Sequence, residues 1–400
     1  FRRVLFRSIY RGDEAQAADP LIVAREGADR APSYRGLAYV VFERLPLADF
    51  GNRVPQLAFE IIRPLDGLGA LIRGVDLIPG ATEYGYAVNA HIEKRGEGVS
   101  TSENRHQLFA GSDFQASLDA LQALCPNLES VALVVAWFGD DLRVGQCTVT
   151  PRVERNDKVV QGEFWQVAGY GRLTARAVSQ SGGAPAYGGS PPDSVVAAAV
   201  QELRARGLKV LFYPFVMMDV PAGNALPDPW TGVAPQPAYP WRGRITCDPA
   251  PGRPGSPDGT AAAASQIANF FAPGADASAP TTFRDFILHY ATLCASAGGV
   301  DAFVVGSELA ALTRVRSASG VYPAAQALAA LASDAKAVLG AATKVSYAAD
   351  WTEYGAHVLA GGAEVRFPLD VVWSSPSVDF IGVDAYFPLS DWRDGRDHLD

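Results

Sequence analysis

From residue 129 onward the chain alternates between short apolar runs and amphipathic stretches, and every apolar run ends in an acidic or aromatic residue. The runs are SVALVVAWF (130–138), ending at Asp140-Asp141, and KVLFYPFVM (209–217), ending at Asp219. They continue with AFVVG (302–306), ending at Ser307-Glu308, and KVSYAA (344–349), ending at Asp350-Trp351. The last is VDFIGV (378–383), ending at Asp384 with Tyr386 just beyond. Between them lie helical patterns at 193–206, closed by Gly207, at 283–296, and at 324–339, closed by Gly340. This order predicts a parallel α/β sheet, and repetition of the unit predicts a (β/α)8 TIM-barrel-like domain. In such a barrel the functional residues sit where strands end, so the ends of these runs are the candidate site.

The run 302–306 carries the strongest signal. It reads as a strand buried on both faces, and it stops at a carboxylate, Glu308. Two readings stand: a catalytic carboxylate on the barrel rim, or a carboxylate that caps the next helix or pairs with an arginine. The set of strand ends favours carbohydrate chemistry, because rings stack on sugar faces, carboxylates accept from hydroxyls and a protonated carboxyl can protonate a glycosidic oxygen. Candidate sugar contacts are Asp140, Asp219, Ser307, Asp350, Trp351, Asp384 and Tyr386, joined by Trp230 and Trp241 from a Gly/Pro-rich insertion at 219–280. An insertion of that length is usually functional. The plainer alternative is that the rings only close the rim.

Other features limit the possibilities. A net charge of −9 and the lack of any basic run interleaved with aromatics argue against nucleic acid as a partner. No apolar stretch reaches the roughly 20 residues of a membrane span. Cys125, Cys147, Cys247 and Cys294 form no CxxC pair and have no histidine at ligand spacing, so buried free thiols are expected, with a Cys147–Cys247 bridge left open. Asp140-Asp141 is read as a rim loop, so no metal and no cofactor is implied.

Residues 1–8 (FRRVLFRS) are set aside as extraneous. Residues 9–110 are expected to be a β-rich region, with strands at 36–42 and 57–62 and no helical periodicity before residue 64, then a turn through Pro79-Gly80 and a polar loop at 96–106. A helix is expected at 112–124, and the barrel domain is assigned to 111–400.

The strand series VLFYPF, FVVGSEL, VSYAADW and DFIGVDAYFPL resembles the β-mannanase-like branch of clan A glycoside hydrolases. Over most of its length the chain more closely resembles the TIM-barrel-like domain of baseplate hub proteins of gene transfer agents and phage tails, through YRGLAYVVFERLPLADFGNRVPQLAFE, VVAWFGDDLR, YPFVMMDVPAGN, DPWTG, YPWRGRITCDPAPGRPGSPDGTAAA, GSELAALT, SYAADWTEYGAHV and YFPLSDWRDG. The resemblance implies a component of a virion-like tail, made in the cytoplasm and acting at the recipient cell envelope. Its partners would be other tail and baseplate proteins, cell-envelope glycan and further copies of itself in a homo-oligomer. It also implies Glu308, after the fourth strand, as general acid/base. Ser307 stands where the clan usually has an asparagine that binds the sugar 2-hydroxyl. The clan's nucleophile is a glutamate ending strand seven, which would fall beyond Asp400. A retaining mechanism needs two carboxyls, so residues 1–400, with about six barrel strands, are expected to be inactive alone. Asp350 or Asp384 could replace the nucleophile only with an unusual geometry.

Overall fold

The computed structural model describes residues 8–43, 45–57, 67–78, 82–276 and 278–386, and the chain divides into two compact units, 1–61 and 62–400.

In the first unit, Ser8–Tyr10 pairs antiparallel with Tyr39–Val41, and the Tyr10 and Tyr39 rings stack with centroids 4.4 Å apart. Ser8, set aside above as extraneous, is therefore part of a strand, while residues 1–7 lie outside the described residues. Against expectation the unit also contains a helix, Pro20–Glu26. The Asp19 side chain accepts from Leu21 N–H at its start, and a proline sits in its first turn. Seven residues are too few to show helical periodicity. Most of the strand expected at 57–62 lies outside the described residues.

The second unit is built on six parallel strands in sequential order: β1 (Gly74–Leu77), β2 (Ser130–Gly139), β3 (Lys209–Met218), β4 (Ala302–Ser307), β5 (Lys344–Asp350) and β6 (Gly382–Asp384). Each strand pairs with the next, so Ser130 faces both Gly74 and Lys209, Ser307 lies beside Ala348, and Asp350 lies beside Asp384. β1 starts the sheet upstream of residue 111. Four residues with two apolar side chains gave it no visible pattern in the sequence. The expected polar loop at 96–106 contains most of a hairpin, Ile92–Gly96 with Val99–Ser102, and the turn at Pro79-Gly80 lies outside the described residues.

The helices are α1 (Asp113–Leu124), α2 (Asp193–Ala205), α3 (Ala261–Phe271), α4 (Phe283–Ser296), α5 (Pro323–Leu339) and the short α6 (Asp370–Trp373). α4 matches its sequence reading because Thr282 and Asp285 form a reciprocal capping box. α3 was not anticipated, since its run AAAASQIANFF sits inside the Gly/Pro-rich insertion.

Strand alternation gives the sheet two faces. Val210 and Phe212 of β3, Phe303 and Val305 of β4, and Tyr347 and Ala349 of β5 join the main core, where Trp137 Nε1–H donates to Tyr290 Oη at 3.0 Å. Leu211, Tyr213 and Phe215 of β3 instead gather with Val134, Val304 and Ala348 in a second, smaller cluster on the opposite face. The four cysteines are buried and free.

Candidate active site at the strand ends

The end of β4 departs from regular strand geometry. Its register against β5 shifts between Val304 and Ser307, Gly306 has φ +127°, and Glu308 has φ +51°. A Cβ on Gly306 would lie 2.5 Å from the buried Phe283 ring, so glycine is required there by both backbone and packing. A left-handed backbone at a non-glycine residue costs about 1–2 kcal/mol, and such outliers cluster at functional sites. The turn reverses the chain so that the Glu308 carboxylate meets three groups from other elements.

Two come from the insertion. Trp241 Nε1–H donates to Glu308 Oε2 at 2.6 Å, and Arg242 reaches the same oxygen at 3.0 Å. Arg242 also donates to the Ser307 carbonyl (3.0 Å) and to Ser307 Oγ (2.8 Å), and its guanidinium lies 3.7 Å from the centre of the Phe215 ring. A Cβ on Gly243 would sit 2.4 Å from the Trp241 ring, so the indole rests directly on this backbone.

The third group is Asp384, at the end of β6, whose carboxyl interacts with that of Glu308 and receives the Tyr213 hydroxyl. Burial pushes the Asp384 carboxyl up to about 7, and the adjacent Glu308 adds to the rise, while Tyr213 and Arg242 pull the other way. Asp384 thus holds its proton to higher pH than an ordinary carboxyl does. A carboxyl that holds its proton can donate to one partner while its other oxygen accepts from another. Tyr386, 72% exposed, lies in the field of Glu308 and Asp384, which together with burial raises its phenol. Trp241 is 43% exposed and Trp351 40%, so ring surface is open to solvent at both.

The structure therefore brings Ser307, Glu308, Trp241, Asp384 and Tyr386 together, with Trp351 tied to the Asp384 carbonyl through its backbone N–H (3.2 Å). The other expected contacts are occupied elsewhere. Asp219 is buried in an ion pair with Arg152 and accepts from Ser179 N–H, and Asp140 holds Thr148 and Arg176. Asp350 accepts from Thr352, and Trp230 Nε1–H donates to the Arg244 carbonyl. Asp141 is held by Arg143 and Gln236, and no cluster of three metal-ligating side chains occurs among the described residues.

Four further residues were not singled out from sequence. Arg242 adjoins Trp241, and Tyr213 falls on the period-2 face with Leu211 and Phe215, so each left a faint trace. Tyr347 and Glu353 left none. Glu353 is buried and accepts from Thr313, from Tyr347 and from Asp350 N–H, and burial pushes its carboxyl up to about 7 despite these donors.

A family model described as the GTA TIM-barrel-like domain matches residues 281–400. No curated protein matches. Among solved structures the chain is similar to a GH113 beta-1,4-mannanase at 16% identity over 70% of this chain and 58% of that one, with a TM-score of 0.36. It is also similar to the GH113 beta-mannanase of Alicyclobacillus acidocaldarius at 17% identity over 65% and 52%, with a TM-score of 0.32. The chain thus spans little more than half the length of these mannanases. The sequential parallel sheet and the family match over 281–400 define a TIM-barrel-like domain.

Proposed function

We propose that this barrel is part of a gene transfer agent or phage-tail baseplate hub and binds cell-envelope glycan during delivery, at the rim where Glu308 and Asp384 meet. The carrying observation is the pairing of two facing carboxyls with open aromatic surface on Trp241 and Tyr386. Rings offer stacking area for sugar faces, and carboxyls meet sugar hydroxyls as hydrogen-bonding partners. The match to the GTA TIM-barrel-like domain supports the tail setting, in which the chain would act as a homo-oligomer among other baseplate proteins.

Binding and cleavage are separable by assay, since a glycosidase needs two carboxyls about 5–5.5 Å apart for retention or about 6.5–9.5 Å for inversion. Incubation with insoluble peptidoglycan and with β-mannan, followed by pelleting and reducing-end assay, tests this. Co-pelleting without released ends, weakened in Trp241→Ala, is expected. Turnover that collapses in Glu308→Gln would make the barrel a hydrolase with Glu308 as its acid/base. Neither binding nor turnover would remove the glycan reading.

A further inference from the structure

Beneath the Glu308 turn lies a second set of buried polar groups that touches neither of the paired carboxyls. Leu309 N–H, the backbone donor directly after Glu308, donates to Tyr347 Oη at 2.7 Å. Tyr347 in turn donates its single hydroxyl hydrogen to Glu353, with Oε1 at 2.9 Å and Oε2 at 3.2 Å. Thr313 Oγ1 donates to Glu353 Oε1 at 2.8 Å, and Asp350 N–H donates to Oε2 at 3.1 Å. Leu309, Thr313, Tyr347 and Glu353 are all buried.

The direction of these bonds matters. A tyrosine hydroxyl has one hydrogen, and an acceptor that claims it leaves the oxygen free to accept. Glu353 claims the hydrogen, so the Tyr347 oxygen faces Leu309 as an acceptor. That bond, together with Glu308 N–H donating to the Ala348 carbonyl at 2.9 Å, pins consecutive amides of the left-handed turn to β5. Without it the turn would hold a buried, unpaired N–H as well as an unfavourable φ, and relaxation to a right-handed backbone would carry Glu308 away from Asp384.

We infer that Tyr347 and Glu353 are positioning residues for the Glu308–Asp384 pair, acting through Leu309 N–H to hold the turn that brings Glu308 to Asp384, Arg242 and Trp241. The inference rests on the reading of that pair as the glycan-facing site for its functional meaning, though not for its geometry.

The test is a carbon-detected NMR titration of the Asp384 carboxyl in the 400-residue chain, with thermal unfolding on the same samples. Glu308→Gln sets the scale, since removing the neighbouring acid lowers the Asp384 midpoint. Tyr347→Phe is expected to reproduce that fall, about one pH unit or more, although residue 347 does not touch Asp384. Thr313→Val removes a donor to Glu353 but leaves the Tyr347–Leu309 bond, and is expected to cost stability without moving the midpoint. An Asp384 midpoint unchanged in Tyr347→Phe, with stability reduced as in Thr313→Val, overturns the inference and leaves the network purely structural. If Tyr347→Phe does not fold, Glu353→Leu removes the acceptor and frees the tyrosine hydrogen to turn, and the same fall is expected, an unmoved midpoint again being contrary. Glycan pelleting on the wild-type sample separates the two claims: no binding, with the midpoint displaced in Tyr347→Phe, removes the glycan reading and leaves the positioning role standing.

Discussion

Replacing Arg242 by methionine probes the joint between the insertion and the β4 turn. The side chains of Arg242 and Glu308 are only 4% and 7% exposed, and they meet at 3.0 Å. Methionine keeps much of the arginine stem's volume, so the main loss is electrostatic. Breaking a buried ion pair by removing one partner typically costs about 3–5 kcal/mol, because the remaining charge stays desolvated. Trp241 N–H remains on Glu308 and offsets part of this, whereas the Ser307 carbonyl and hydroxyl lose their donor, about 1 kcal/mol more. The net expectation is a loss of about 4 kcal/mol in urea unfolding at pH 8, with the denaturant slope unchanged. Arg242→Met/Glu308→Gln should recover about 2–3 kcal/mol of it, since no bare charge is left behind. The Asp384 carboxyl should move in opposite directions in the two single variants: up when the cation goes, down when the neighbouring acid goes. A loss below about 1 kcal/mol in Arg242→Met, or a double variant no more stable than the single one, would refute the idea that Arg242 compensates a buried Glu308 charge.

The Glu353 contribution to stability should fall as pH rises from about 4.5 to 7. Glu353 is pushed up to about 7 in the folded chain, so the folded state keeps a proton that the unfolded state has released across that window, and the stabilisation present below it is lost by its upper end. For Glu353 the fall amounts to about 3 kcal/mol, and unfolding at pH 5, 6, 7 and 8 should show a shallower slope in Glu353→Gln; an equal slope would contradict the assignment. Gly243→Ala should push the Trp241 indole off its seat, weakening glycan pelleting as Trp241→Ala does while the far-ultraviolet circular dichroism stays unchanged. Gly306→Ala adds a methyl against Phe283 at a backbone angle that alanine avoids, so a loss above about 2 kcal/mol is expected, and a near-neutral result would mean that β4 has another conformation.

Much of the barrel was legible because long parallel strands are continuous apolar runs. Four of its six strands, β2 to β5, were legible, with ends within about two residues of those observed, and the fifth expected run, at 378–383, leads into the short β6. β1 was hidden by its shortness and α3 by its glycine- and proline-rich surroundings. Glu308 could be found because a buried run stops at it. What it touches could not, since its partners come from far along the chain: Tyr213 and Asp384 are 171 residues apart, and Trp241 and Glu308 are 67. Asp219 shows the converse. It ends a strand as the others do, but Arg152, in the two-residue strand Arg152–Val153, occupies its carboxylate, and no local pattern announces that ion pair. Tyr347 sits in a strand and Glu353 in the turn after it, so their joint hold on Leu309 exists only once β4 and β5 are side by side.

The most direct measurement is the binding isotherm of a soluble envelope-type oligosaccharide, followed by tryptophan fluorescence at pH 6 and pH 8, for the wild type beside Trp241→Ala and Asp384→Ala. If Glu308 and Asp384 form a glycan-facing pair, binding saturates in the wild type, weakens about tenfold or more in both variants, and is tighter at pH 6, where Asp384 holds its proton, than at pH 8. Binding that is absent in the wild type, or equal in all three proteins at both pH values, would contradict it.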